Sequence, residues 1–167
     1  EEQKKEKRKY FSEMFGLESA EMLISIFTYE HDFSRFFADL RDSGMKTGVV
    51  VFGEKSRKSV EKLQPDDRNI KIVYADFLPQ EEYDCLLKVF DLNFVRGEDS
   101  WARACLSGKP FIWHSYHQVD NYQQVKVKAF LEYQKEYIND EGLYKSYLEY
   151  LLKFNDRSDG IADGSCS

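Results

Sequence analysis

Five short apolar runs punctuate this chain: MLISIF at 22–27, VVVF at 49–52, IKIVY at 70–74, LNFV at 92–95 and FIWH at 111–114. They recur at roughly 20-residue intervals, and segments with helical spacing fill the gaps. Each run is too short for a core helix and barely alternates in polarity, which suits a strand covered on both faces. Strands that alternate with helices at this spacing need right-handed crossovers, so they form a parallel sheet with helices on both sides. The pattern therefore predicts an α/β, doubly wound fold. Such sheets bind ligands beyond the carboxyl ends of their strands. That rule singles out residues 28–30, 53–55, 75–80, 96–100 and 115–118 before any motif is considered.

The intervening segments read as helices. Residues 2 to about 15 mix Glu and Lys at helical spacing, and Gly16 closes the pattern as a glycine just past a helix end does. Asp32 is placed to cap a helix in which Phe33, Phe36, Phe37 and Leu40 share a face, with Gly44 after its end. A polar helix from about Glu54 to Leu63 leads through a PDD turn to the third strand, and residues 80–90 put Tyr83, Leu86, Leu87 and Phe90 on one stripe. A short helix from about 99 to 107 follows the fourth strand. Two more close the domain, with Val127, Phe130, Leu131 and Gln134 on one face of the first and Tyr144, Tyr147, Leu148 and Leu151 on the second. Residues 157–167, RSDGIADGSCS, read as a flexible tail, leaving 1–156 as the folded domain.

At 167 residues and 42% apolar composition the chain can bury one domain's core. Its 30 acidic and 24 basic residues, net −6, argue against nucleic acid as a partner, because such binding relies on basic surface to displace phosphate counterions. Any anion site must be local. No apolar run approaches the roughly 20 residues that span a bilayer, and the opening EEQKKEKRKY is too charged for a signal peptide. These features predict a cytosolic protein with no membrane partner. Cys85, Cys105 and Cys166 lack metal-ligand spacing, and their odd number fits reduced thiols. The two within predicted helices are expected to pack in the core. With no initiating Met and a start inside a charged helical pattern, the sequence reads as part of a longer protein.

The densest chemistry lies in NFVRGEDS, 93–100, where an apolar strand ends in Arg, Gly, two carboxylates and a hydroxyl. Gly97 permits a tight turn and Glu98 or Asp99 can cap the helix, so the backbone amides of 99–101 face the crevice mouth as an anion site. Arg96 adds a planar, permanently charged fork suited to phosphate. A carboxylate used as a cap leaves its neighbour available to a sugar hydroxyl or to catalysis. The plainer alternative is an Arg96–Asp99 ion pair over an ordinary capped helix. DFLPQEEYD, 76–84, follows the third strand, and Pro79 holds its loop extended. There Phe77 can offer a flat face to a nucleobase while Gln80 reads the base edge, the alternative being a core Phe and a capping Gln. Tyr29 and Glu30 end the first strand, where a phenol can reach a phosphate oxygen. In WHSYHQ, 113–118, His114 and His117 have metal-compatible spacing only on a helix and lack a third ligand, so a hydrogen-bonding or structural role is expected. Dinucleotide, P-loop and serine-hydrolase signatures are missing from the sequence.

The run DLNFVRGEDSWARACLSGKPFIWHSYHQ, 91–118, with FLPQEEYD, 77–84, and FTYE, 27–30, resembles the carboxyl-terminal half of the bacterial elongation factor P arginine rhamnosyltransferases (the EarP family). The resemblance centres on RGEDS and GKPFIWH and continues more weakly over most of the chain. It implies a Rossmann-like doubly wound parallel sheet, the carboxyl-terminal, donor-binding domain of a two-domain glycosyltransferase of the GT-B type. The family transfers L-rhamnose from dTDP-β-L-rhamnose to an arginine of elongation factor P with inversion, and elongation factor P meets mainly the amino-terminal half. Carried over, Phe77 stacks on thymine, Gln80 contacts the base, and Tyr29, Arg96, Asp99 and Ser100 hold the pyrophosphate. Glu98 matches the family's essential glutamate. No cofactor or metal is implied. The family's candidate general base belongs to the other half, so this stretch alone is expected to bind donor without turnover. Two other classes compete. A non-catalytic nucleotide- or phosphopeptide-binding module would keep the crevice without base selectivity. A flavodoxin-like signalling domain would need an acidic cluster after the first strand, where FTYE supplies one acid.

Overall fold

The computed structural model describes residues 1–63, 65 and 67–156. Its first compact unit, Glu1–Ile112, is built on the predicted strands, and a second unit begins at Trp113. In chain order the first unit runs α1 (Glu2–Met14), β1 (Met22–Ile26), α2 (Ser34–Ser43), β2 (Thr47–Phe52), α3 (Glu54–Glu61), β3 (Ile70–Ala75), α4 (Gln80–Val89), β4 (Leu92–Arg96) and α5 (Gly97–Cys105). The boundary falls inside β5 (Phe111–His114). The sheet order is β3-β2-β1-β4-β5. The β1–β2, β2–β3 and β1–β4 pairings are all parallel, with Ser25 opposite Val50 on one side and Asn93 on the other. From β1 the chain adds strands in one direction through β2 to β3, then returns to the opposite side of β1 to lay down β4. The crevice between the loops after β1 and β4 is thus the topological switch point.

Alternation of side chains along each strand assigns the two faces. Leu23, Val50 and Phe52 join Phe11 of α1 and Leu86, Val89 and Phe90 beside α4 in one cluster. On the opposite face Phe94 meets the rings of Phe33 and Phe36 edge-on at 5.6 and 4.9 Å, which docks α2. α1, polar along most of its length, is anchored by Arg8. Its guanidinium donates to Asp91 at 2.8 Å and to the carbonyl of Val89 at 3.0 Å, while Asp91 also accepts from the amide of Leu23. Inside the sheet Ser25 donates to Asn93 at 2.6 Å, and Asn93 donates to the Leu87 carbonyl. This buried polar pair fixes the β1–β4 register, because a one-residue slip would leave both groups unsatisfied.

Several local expectations need correction. Asp32 accepts from the amide and hydroxyl of Ser34, so it acts one residue ahead of the cap position, which Phe33 holds. α5 starts at Gly97, not near 99, and neither Glu98 nor Asp99 caps it. No side chain caps the helix; Ser100 instead braces the strand-to-helix turn, its hydroxyl accepting from the Arg96 amide at 3.2 Å and donating to the Arg96 carbonyl. Cys85 is half-buried against the core and accepts from Lys7 at 2.9 Å, but Cys105 is exposed at the end of α5, contrary to a core role. Asp67 of the expected PDD turn accepts from the Asn69 amide. Asp66, Cys166 and the expected tail at 157–167 lie outside the described residues.

In the second unit α6 (Tyr122–Gln134) and α7 (Glu141–Phe154) pack together. Asp140 caps α7 by accepting from the Leu143 amide at 2.9 Å. Asn155 and Gln123 are among the polar side chains fully buried there. Asn155 accepts from the Ser115 amide and donates to the carbonyls of Trp113 and Leu151, all at 2.8–2.9 Å, and Gln123 accepts from the Gln118 amide. His114 is buried with its ring edge-on to Phe154 at 5.1 Å and to His117 at 5.5 Å. Among the described residues no helix is long and apolar enough to cross a membrane, and no group of three or more His, Cys, Asp or Glu could hold a metal ion.

Candidate functional site

The switch point of the first unit opens into a crevice of about 520 Å³, within the range of small-molecule sites. Its walls come from the ends of β1 and β4, the loop after β3, and the first turns of α4 and α5. All seven residues singled out from the sequence, Tyr29, Phe77, Gln80, Arg96, Glu98, Asp99 and Ser100, line it.

Local geometry explains how they converge. At the end of β1, Ser56 of α3 accepts from the Thr28 amide at 2.7 Å and donates to the Thr28 carbonyl at 3.0 Å, pinning the strand where Phe27 and Tyr29 project. At the end of β4, Gly97 takes a φ of +65°, and a Cβ there would lie 3.3 Å from the Tyr29 hydroxyl. Only glycine meets both demands cheaply. The chain therefore turns straight from strand into helix, and the amides of the first turn, 97–99, point along the α5 axis toward the crevice by helix geometry.

Arg96 occupies the centre. Its guanidinium lies over the Phe27 ring at 4.2 Å and the Tyr29 ring at 5.2 Å, and Nη1 donates to the Thr28 carbonyl at 3.5 Å. The side chain is half-buried and keeps to the crevice wall. Asp99 pairs with Arg103, Nε to Oδ2 at 3.0 Å, rather than with Arg96 as the plainer sequence reading had it. Glu98 is exposed on the lip.

Phe77 is 66% exposed, so the core alternative fails; its ring stands edge-on to Phe27 at 5.5 Å and leaves a face open to the crevice. Gln80 opens α4 without capping it. Its amide is assigned with the oxygen toward Arg103, because only that orientation sets an acceptor against the guanidinium, and the oxygen then lies 2.9 Å from Nη1. Arg103 also donates through Nη1 to both oxygens of Asp84 at 3.0 Å, and so ties α4 to α5. The Asp99 and Asp84 carboxylates hold its guanidinium above the ordinary arginine range. Tyr83, edge-on to Phe27 and Phe52, has its phenol pushed well above the usual range by burial, so it stays protonated.

Phe27, Tyr83 and Arg103 also line the crevice and were not read from the sequence as site residues. Arg103 carried one legible signal, its i+4 spacing from Asp99. Its link to Asp84 depends on how α4 and α5 pack.

Strand order, glycine turn, centred guanidinium and exposed aromatic together define a doubly wound, Rossmann-like α/β domain with a ligand crevice at its switch point. Comparison with known proteins carries this to a family. A family model described as Elongation-Factor P (EF-P) rhamnosyltransferase EarP matches residues 1–163, and the chain belongs to that family. The protein-arginine rhamnosyltransferase of Pseudomonas aeruginosa is 35% identical over 123 residues, which cover 67% of this chain and 33% of that protein. The protein-arginine rhamnosyltransferase of Neisseria meningitidis serogroup B is 45% identical over 62 residues, 37% of this chain and 16% of that protein. The chain thus spans at most about a third of the length of these two relatives. A solved structure, "Structural basis for EarP-mediated arginine glycosylation of translation elongation factor EF-P", matches with a TM-score of 0.67 over 89% of this chain and 55% of that chain, at 22% identity; the likeness shows a shared fold.

Proposed function

We propose that the crevice binds the donor dTDP-β-L-rhamnose, as the donor half of a GT-B type enzyme that rhamnosylates an arginine of elongation factor P with inversion. The observation that carries the reading is the pairing of the exposed Phe77 face with the Arg96 guanidinium and the α5 N-terminus across one crevice. A stacking surface and an anion seat that line one crevice suit a nucleoside diphosphate.

In the proposed pose thymine stacks on Phe77 and meets the Gln80 amide. The pyrophosphate lies against Tyr29, Arg96 and the first turn of α5. Ser100 serves by closing the Arg96 turn. Asp99, its carboxylate held by Arg103, offers the phosphate its backbone amide. As the bond from the sugar anomeric carbon to the phosphate oxygen breaks, negative charge builds on the departing diphosphate, and a fixed guanidinium with aligned amides stabilises it without reorganising. Positive charge from these groups leaves the mechanism without need of a divalent ion. The new bond forms between the anomeric carbon and an arginine nitrogen, which loses its proton to a carboxylate. A guanidinium is a poor nucleophile while protonated, so it must be oriented as well as deprotonated. The base that takes this proton must stand opposite the leaving diphosphate and belongs to the other half of the enzyme, while Glu98, on the lip beside the phosphate seat, is the catalytic carboxylate of this chain and orients the acceptor. A translation factor as acceptor implies the cytoplasm.

Calorimetric titration of the chain with dTDP, UDP and GDP tests the reading. Saturable binding with dTDP the tightest is expected. Absence of binding overturns it, and binding indifferent to the base overturns it in favour of a generic phosphate-binding module.

A further inference from the structure

The Gln80 amide can face the crevice with either its oxygen or its nitrogen, and the two ends ask opposite things of a ligand. An amide oxygen accepts a hydrogen bond and an amide nitrogen donates one. Which end faces a site is settled by the partner at the other end. Here that partner is Arg103, a donor on every nitrogen. With the amide oriented so that its oxygen meets these donors, Nη1 and Nη2 lie 2.9 and 2.5 Å from it. The guanidinium cannot slip away from this task, since Asp99 holds Nε at 3.0 Å and Asp84 holds Nη1 through both its oxygens. With the oxygen engaged, the amide nitrogen is the end left for the crevice that Gln80 lines.

We infer that Arg103 is a specificity-determining positioning residue: by fixing the Gln80 amide with its nitrogen toward the crevice, it makes the site require a carbonyl on the base edge that meets α4. Resting on the donor-site reading above, this assigns the choice between pyrimidines. Thymine and uracil carry a carbonyl oxygen at position 4, whereas cytosine carries an amino group that donates. Against the Gln80 nitrogen, cytosine sets donor to donor. The same guanidinium neutralises Asp99 beside the proposed phosphate seat, so one side chain prepares both ends of the ligand.

The test is a calorimetric comparison of dTDP, dUDP and dCDP on the full chain, wild type, Arg103→Met, Arg103→Lys and Gln80→Met, each checked for native melting. Wild type is expected to prefer dTDP and dUDP over dCDP by about tenfold or more, as for one well-formed hydrogen bond against an unpaired group. Without Arg103 the amide is free to rotate, and the preference should fall below about threefold in Arg103→Met and Gln80→Met. Arg103→Lys keeps a charge beside Asp84 and Asp99 but loses the planar fork, so it should also relax the preference; it decides the matter if the Met variant does not fold. A role in packing alone would lower affinity for all three nucleotides equally and leave the ratio intact, which overturns the inference. So does wild-type binding of dCDP as tight as dTDP; in that case the donor-site reading survives if dTDP still binds more tightly than GDP. If wild type binds none of the three, both fall.

Discussion

Replacing Phe77 with Ala separates the two roles an aromatic can have at a strand end. The ring is 66% exposed, so only about a third of its surface is buried. Fully burying a Phe contributes up to about 3 kcal/mol, so truncation should cost no more than about 1 kcal/mol of stability. Stacking of a base on such a ring is worth about 1–3 kcal/mol. Loss of that contact weakens binding by roughly 5- to 150-fold. The variant is therefore expected to unfold in urea close to wild type while its calorimetric Kd for dTDP rises by one to two orders of magnitude. Inorganic pyrophosphate, which has no base, should bind both proteins alike. An unchanged Kd for dTDP would refute the stacking assignment. A stability loss well above 2 kcal/mol would show that the ring supports the fold instead, and the edge contact with Phe27 would then be its purpose.

Arg96→Met should weaken dTDP about 10- to 150-fold, the worth of a charge-assisted hydrogen bond, and flatten the salt dependence of binding measured by titration at two ionic strengths. Gly97→Ala should lower stability by about 1 kcal/mol or more, because the φ of +65° is strained for alanine and the new Cβ meets the Tyr29 hydroxyl at 3.3 Å; denaturant midpoints check this. Asn155→Ala should cost about 3 kcal/mol in the same assay, since it strands the Ser115 amide and the Trp113 carbonyl. Tyr83→Phe should be neutral or stabilising by up to about 1 kcal/mol, for its buried hydroxyl has no hydrogen-bond partner among the described residues.

The strands were legible because each is a burst of buried apolar residues between polar segments, and their ends fell within two residues of the predicted ones. β2 extends to Thr47, whose hydroxyl hides itself on the Met45 carbonyl and so hides the strand from a polarity reading. The start of α5 was misplaced for a similar reason. Glu98 and Asp99 fall inside the first turn, Asp99 is drawn to Arg103, and the cap position goes to Arg96, whose backbone Ser100 braces. Long-range partners were illegible. Nothing in the local sequence says that Asp84 and Arg103, 19 residues apart, share a bidentate pair, or that Asn155 returns to residues 113 and 115. Such links exist only once helices have packed. The site residues, by contrast, sit at strand ends, and strand ends are what periodicity marks best.

Charge explains why so acidic a chain can still present an anion seat. The crevice wall holds Glu98 and Asp99 beside Arg96 and Arg103, an arrangement with no net positive charge if all four acted alike. They do not. Arg103 is committed to Asp99 and Asp84, which cancels the carboxylate nearest the proposed phosphates. Arg96 lies against ring faces and a backbone carbonyl. Ring quadrupoles hold a cation in place without neutralising it. Its full charge thus remains available to a ligand, and the helix N-terminus adds to it. Positive potential in this protein is a local product of who pairs with whom, and a seat made that way is weakened by removing Arg103, which never has to touch the phosphate, as well as by removing Arg96.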